Sequence, residues 1–261
     1  MSLDASIDLK QLFNIRGKVA IITGASSGLG KVISLGLAKV GVKVVLASRN
    51  ISLLKEIKNE VEASGGHALA FQTDVTHIKD IDAMVQSSLK RFQRLDILIN
   101  NAGITLSSAA LDLDIGDWKK VIDTNLTSAL ACSQFVAKVM KENGGGRIIN
   151  ISSVLGNMVT TYNAAYCVSK AGLNHLTRVL ALEWARYNIL VNAIMSGFFI
   201  TELTRERLND PQTGPVLLAK IPLKRFAKPE ELVGLVIFLC SSASDYITGE
   251  SIVLDGGYSL T

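Results

Sequence analysis

The sequence predicts an α/β fold: a single domain, 1–261, built as a Rossmann-type, doubly wound parallel sheet of seven strands with helices on both faces. Three observations lead there. Short β-branched runs alternate with helical stretches along the whole chain, the pattern of successive β-α-β units joined by right-handed crossovers. A glycine-rich turn at residues 23–30 stands between the first such run and the first helix, where α/β sheets carry their binding loops. The composition, 48% hydrophobic with 21 Gly and only 4 Pro, is that of a compact domain.

Residues 1–16 read as an arm leading into a strand over 18–23 (K-V-A-I-I-T), a run suited to burial on both faces. A helix follows over 31–40. Between them, T-G-A-S-S-G-L-G offers Thr23, Gly24, Ser26, Ser27, Gly28, Leu29 and Gly30 as a dinucleotide cradle. Gly24 permits the tight turn, Gly28 lets the backbone approach a pyrophosphate, and Gly30 lets helix and strand pack closely; the helix N-terminus then presents unpaired N–H groups. The second strand, 43–48, ends in Ser48, Arg49 and Asn50, where a site selective for NAD would place an Asp or Glu for the ribose hydroxyls. A guanidinium there suits a 2′-phosphate, so NADP(H) is expected over NAD(H). The other reading of Arg49 is a solvated surface charge.

The alternation continues with helices near 53–64, 78–92, 118–141 and 230–241, and strands near 68–73, 95–100, 189–194 and 251–254. The segment 196–222 lacks a strong period and carries Pro211, Gly214, Pro215 and Pro222. It reads as a mobile lid over a substrate. Phe198, Phe199, Leu203, Leu208, Val216 and Leu217 make it apolar, fit either for an acyl chain or for packing a short helix onto the core.

The chemistry centres on Tyr166 and Lys170 in T-T-Y-N-A-A-Y-C-V-S-K-A-G-L, residues 160–173. Four residues apart in an Ala-rich helical run, their side chains share one face, one turn apart. A free phenol titrates at about 10, and a fixed positive charge nearby lowers that value, so the pair reads as an acid/base device. The strand 146–151 ends in Ser152 and Ser153 thirteen residues before Tyr166, placing hydroxyls where an open α/β sheet does its chemistry.

Composition bounds the partners. The net charge is +4, from 27 Lys+Arg and 23 Asp+Glu spread along the chain, and no basic cluster marks a nucleic-acid binder. The N-terminus has no basic segment followed by an apolar one, and the longest apolar run, 232–240, is too short to span a bilayer. A soluble, cytoplasmic protein without a membrane partner is expected. Cys132, Cys167 and Cys240 form no C-x-x-C, and His67, His77 and His175 show no ligand spacing, so neither a disulfide framework nor a metal is expected. Cys167 reads as a packing thiol.

With these motifs in hand, the chain resembles the short-chain dehydrogenase/reductase superfamily over nearly its whole length. T-G-A-S-S-G-L-G at 23, D-V at 74, N-N-A-G at 100, N-L-T-S at 125, I-S-S at 151, Y-C-V-S-K at 166 and D-G-G at 255 stand in the family's order. The resemblance implies a catalytic tetrad of Asn125, Ser153, Tyr166 and Lys170. Ser153 would hold the substrate carbonyl and Tyr166 would donate the proton. Lys170 would bind the nicotinamide ribose and lower the phenol pKa, and Asn125 would anchor a water that passes protons to the lysine. It also implies cofactor contacts at Asp74 and Val75, at Asn101, Ala102 and Gly103, and at Gly197, Phe199 and Thr201, besides Tyr166 and Lys170. Asp74 is alternatively a helix N-cap, and N-N-A-G a structural turn. One departure is Ser196-Gly197 in place of the family's usual Pro-Gly, which removes a φ restraint and leaves the loop freer to move.

The resemblance further implies a homotetramer. Its leading substrate reading is a 3-oxoacyl thioester, as in 3-oxoacyl-(acyl-carrier-protein) and acetoacetyl-CoA reductases, although Gly144 and Tyr187 occupy the carrier-docking arginine positions, with Arg147 and Arg186 nearby. The alternative is a sugar or polyol, as in gluconate dehydrogenases, and a third reading is a non-catalytic NADP(H)-binding sensor or scaffold.

Overall fold

The seven expected strands all form: β1 (Val19–Thr23), β2 (Lys43–Ser48), β3 (Ala68–Gln72), β4 (Ile97–Asn100), β5 (Gly146–Ser153), β6 (Ile189–Ser196) and β7 (Ser251–Leu254). The computed structural model describes residues 8–202 and 204–261 and pairs the strands in the order β3-β2-β1-β4-β5-β6-β7, every neighbour parallel. Leu203 of the expected lid and residues 1–7 of the expected arm lie outside the described residues. Among the described residues no helix is long and apolar enough to cross a membrane.

The helices are α1 (Leu9–Leu12), α2 (Gly28–Lys39), α3 (Ile51–Ala63), α4 (Ile78–Phe92), α5 (Ile115–Ile122), α6 (Ser128–Glu142), α7 (Ala164–Trp184), α8 (Arg205–Asn209), α9 (Thr213–Ala219) and α10 (Glu231–Cys240). Alternate strand residues feed two cores. Ala20, Ile22, Val44 and Leu46 pack under α2, α3 and α10, while Val19, Ile21, Val45 and Ala47 pack under α4, α6 and α7. Because both faces are covered, β1 is buried at every position, and each Val or Ile hidden there contributes about 1.5–3 kcal/mol. That is why the strands read as unbroken apolar runs. β1 lies between β2 and β4, so successive crossovers leave it in opposite directions and a crevice opens at the C-terminal ends of β1 and β4.

Several boundaries differ from the expected ones, each for a local reason. The helix expected over 118–141 is two, α5 and α6, joined by a π-helical turn at Asp123–Thr127. One extra residue in a turn leaves the apolar periodicity almost unchanged, so only the structure reveals it. α2 begins at Gly28, not at 31, taking the last two cradle glycines into its first turn. β5 and β6 extend through the serines expected to follow them, and Ser153 pairs in register with Ser196. The lid carries α8 and α9, with Leu208 buried beneath α8. The described part of the arm folds into α1, where Asp8 accepts from the amides of Lys10 and Gln11.

Candidate active site

At the end of β1, Gly24 and Gly28 adopt φ of +64° and +54°, a region that side chains other than Gly rarely enter. Gly30 is fixed by close approach: a Cβ there would collide with the Gly24 carbonyl and the Asn101 amide. Asn101 braces the turn from β4, its Nδ2 donating to the carbonyls of Thr23 (3.0 Å) and Gly24 (3.2 Å). The Thr23 hydroxyl accepts in return from the backbone of Asn101 and Ala102. Ser27, the N-cap of α2, makes no side-chain cap bond, so the first-turn N–H groups have no side-chain partner. Beside them Gly28 is open, with nothing nearer than Thr201 at 3.8 Å to a Cβ placed there. These residues fit a dinucleotide pyrophosphate.

The adenosine end is built from the tips of β2 and β3. Asn50 caps α3 by accepting from Leu53 N at 3.2 Å, and the Ser48 hydroxyl accepts from Asn50 N. Arg49 is exposed, and its guanidinium enters none of the ion pairs formed among the described residues. Asp74 is not an N-cap; α4 starts from His77. Its carboxylate closes a turn instead, accepting from the amide and hydroxyl of Thr76. Burial pushes the Asp74 carboxyl up, but the Thr76 bonds, with His77 and Arg49 nearby, bring it below the usual carboxylate range. Val75 is buried in the core behind it.

The tetrad positions converge at the C-terminal edge of the sheet. Ser153 ends β5, Tyr166 lies in the first turn of α7 and Lys170 in the second. The Lys170 ammonium sits 5.7 Å from the Tyr166 ring centroid and donates to the Ile151 carbonyl at 2.8 Å. Burial lowers its pKa to about 8. Burial also pushes the Tyr166 phenol up, outweighing the hydrogen bond with Ser153 that pulls it down. This corrects the expectation that Lys170 sets a lowered phenol: desolvation dominates, while the ammonium is turned to a carbonyl of β5.

The Asn125 side chain is held by the protein itself. Its Oδ1 accepts from Ile104 N (2.8 Å), and its Nδ2 donates to Ile104 O (2.9 Å) and the Ser169 hydroxyl (3.0 Å). With both N–H groups used, the carboxamide is a clamp on the segment after β4. The wide turn Asp123–Thr127 directs it there, a frequent use of such turns. Gly103 faces this clamp: a Cβ on it would lie 3.4 Å from Asn125 Oδ1 and 3.6 Å from Lys170 Nζ.

The remaining expected contacts separate. Phe199 is packed into the core. Phe198 stacks edge-on against Tyr258, centroids 4.9 Å apart. Thr201 and Thr204 staple the start of the lid through their hydroxyls at 3.0 Å. Ser196 donates to the Ser152 carbonyl at 2.9 Å, and Gly197 N donates to Leu254 O at 2.9 Å; these bonds hold the strand end where a proline ring is missing. In N-N-A-G, Asn100 is structural, donating to Ser133 and Asn150 within the buried layer. Ile104, Asn163 and Ser169 make contacts at the site that no periodicity announces; only the preference of Asn for helix starts pointed to Asn163.

The sequence profile of the family described as enoyl-(acyl carrier protein) reductase matches residues 24–259. A 3-oxoacyl-[acyl-carrier-protein] reductase of Synechocystis sp. is 39% identical over 245 residues, covering 93% of this chain and 97% of the relative. A 2-dehydro-3-deoxy-D-gluconate 5-dehydrogenase of Escherichia coli is 38% identical over 247 residues, covering 94% of this chain and 97% of the relative. The crystal structure of a gluconate 5-dehydrogenase from Burkholderia cenocepacia, in complex with NADP and tartrate, matches with a TM-score of 0.93 at 31% identity, covering 97% of this chain and 100% of that one.

Proposed function

The chain belongs to the short-chain dehydrogenase/reductase family and is an oxidoreductase acting on CH–OH groups; from that premise we propose that it uses NADP(H) and acts on a small hydroxylated substrate such as a sugar acid. The observation that carries the reaction is the Tyr166 phenol in the first turn of α7, with buried Lys170 one turn along the helix and Ser153 at the end of β5. The nicotinamide, when bound, supplies or accepts the hydride. Ser153 holds the carbonyl oxygen by hydrogen bonding, and Tyr166 gives that oxygen a proton as charge develops on it. Lys170 holds the cofactor ribose, and Asn125 fixes the segment carrying Gly103 and Ile104 against the site.

The adenosine end supports NADP(H), because an exposed guanidinium, in none of the ion pairs formed among the described residues, follows β2 where ribose-binding carboxylates would stand. Arg49→Gln is expected to raise the KM for NADPH about tenfold or more, the loss of one charge-assisted hydrogen bond, and to leave the KM for NADH nearly unchanged. Equal effects on both cofactors would remove Arg49 from the 2′-phosphate.

For the substrate, Thr105, Ser107, Thr160 and Thr161 are exposed near the site, with Val159 and Tyr162 exposed among them, while Phe199 and Leu208, expected to serve an acyl chain, are packed inward. Of the nearby arginines, Arg147 is paired with Asp245, while Arg186 lies exposed over the Tyr187 ring at 4.7 Å. The thioester reading keeps the support of the Synechocystis relative. D-Gluconate with NADP+ at alkaline pH, and acetoacetyl-CoA with NADPH near neutrality, separate the two. Turnover of gluconate by the chain, with none of the thioester, is expected; the reverse would return the assignment to 3-oxoacyl thioesters. A cytoplasmic homotetramer accompanies this reading, supported by exposed Val168, Val179 and Leu182 along α7 and by three free thiols.

A further inference from the structure

The segment after β4 is fastened to the catalytic elements twice, and the second fastening lies outside the tetrad. The first is the Asn125 clamp on Ile104. The second is Asn163, the residue immediately before α7 and three before Tyr166. Its Oδ1 accepts from the hydroxyls of Thr105 (3.0 Å) and Ser107 (3.4 Å), and its Nδ2 donates to Thr161 O at 3.0 Å. Beside it the Ser108 amide donates to the Tyr162 carbonyl at 2.9 Å, forming a short parallel bridge between Ser108 and Asn163.

These bonds close a ring around Tyr166. From Ile104 it runs through Asn125 to the Ser169 hydroxyl, which donates to the Tyr166 carbonyl at 2.7 Å. It returns through the helix bond from Cys167 N to Asn163 O, and from Asn163 to Thr105, next to Ile104. A second observation marks the same place. Tyr162 is held at φ +62°, a conformation costing a bulky residue about 1–2 kcal/mol, although its side chain is 62% exposed and little packing holds it there. Such strain persists only where neighbouring bonds over-determine the backbone.

We infer that Asn163 is a positioning residue: by tying residues 105–108 to the first turn of α7, it fixes where Tyr166 presents its hydroxyl. The inference rests on the reading of Tyr166 as the proton donor. Because Thr105 and Ser107 are exposed, the latch adds little to global stability, and its loss acts on geometry, where a displacement near 1 Å is worth up to about a hundredfold in rate.

The test compares Asn163→Ala, Asn163→Asp and Thr105→Val. Asp retains the oxygen that accepts from Thr105 and Ser107, so it is the conservative variant. Asn163→Ala is expected to lower kcat about tenfold or more, with unchanged NADPH affinity and melting temperature. The amides of Cys167 and Val168, early in α7, are expected to exchange with deuterium about tenfold faster, the mark of a loosened first turn. Asn163→Asp should restore both, and adding Thr105→Val to Asn163→Ala should change neither further. Unchanged kcat and exchange in Asn163→Ala, an Asp variant as impaired as Ala, or additive effects would each overturn the latch. If the wild type turns over neither gluconate nor acetoacetyl-CoA, the substrate reading fails, while the exchange comparison still decides the latch.

Discussion

Tyr166→Phe is expected to lower kcat by about a thousandfold, within the range of losing a positioned general acid, while NADPH binding measured by fluorescence titration stays nearly unchanged. Phenylalanine keeps the ring and its place beside Lys170, and removes only the hydroxyl, whose acidity Ser153 favours. The same phenol fixes the sign of the pH dependence. Burial holds it protonated above its ordinary value, so carbonyl reduction should be flat through neutrality and decline only once the phenol ionises. Alcohol oxidation needs the phenolate as base and should climb with pH over the same alkaline range. Both limbs should vanish in the residual activity of the Phe variant. Turnover unaffected by the substitution would remove Tyr166 from the chemistry, and cofactor binding without turnover of any carbonyl by the wild type would favour a sensor.

How much of this was legible depends on the kind of signal involved. Strands buried on both faces must be continuous apolar runs, so β1 and β2 could be read from composition and turns. The cradle glycines were legible because close approach and positive φ demand glycine. The wide turn at Asp123–Thr127 was not, since one added residue hardly disturbs an apolar period. Nor were the side-chain partners of Asn125, because a carboxamide can serve water, backbone or another side chain, and only the fold decides which comes within reach. The phenol pKa was expected with the wrong sign for a similar reason. Spacing on a helix reveals that a cation stands one turn away, but not that it points to a strand carbonyl while burial acts on the phenol. The lid failed at a finer level: its apolar residues were found, but whether Phe199 faces substrate or core is a matter of packing.

Lys170→Met should separate the two demands made on the site, abolishing turnover while making the protein more stable. Lys170 has no carboxylate partner among the ion pairs formed by the described residues, and burial lowers its pKa from 10.5 to about 8. A shift of that size corresponds to about 3 kcal/mol, a cost present in full below about pH 8, where the folded protein must hold the ammonium charged. Between about 8 and 10.5 the unfolded chain binds more protons than the folded one, so stability recovers as pH rises. Methionine fills a similar volume without the charge, at the expense of the bond to the Ile151 carbonyl, worth about 1 kcal/mol. The net gain near neutrality is then about 2 kcal/mol, a rise in melting temperature of roughly 4–8 °C for a chain of this size, shrinking as the pH approaches 10.5. Turnover should fall by about a hundredfold or more, since the ammonium supplies preorganised charge at the reacting centre. A melting temperature lowered at neutral pH would mean that the ammonium stabilises the fold; one raised equally at all pH values would mean that packing, not desolvation of the charge, is what methionine relieves.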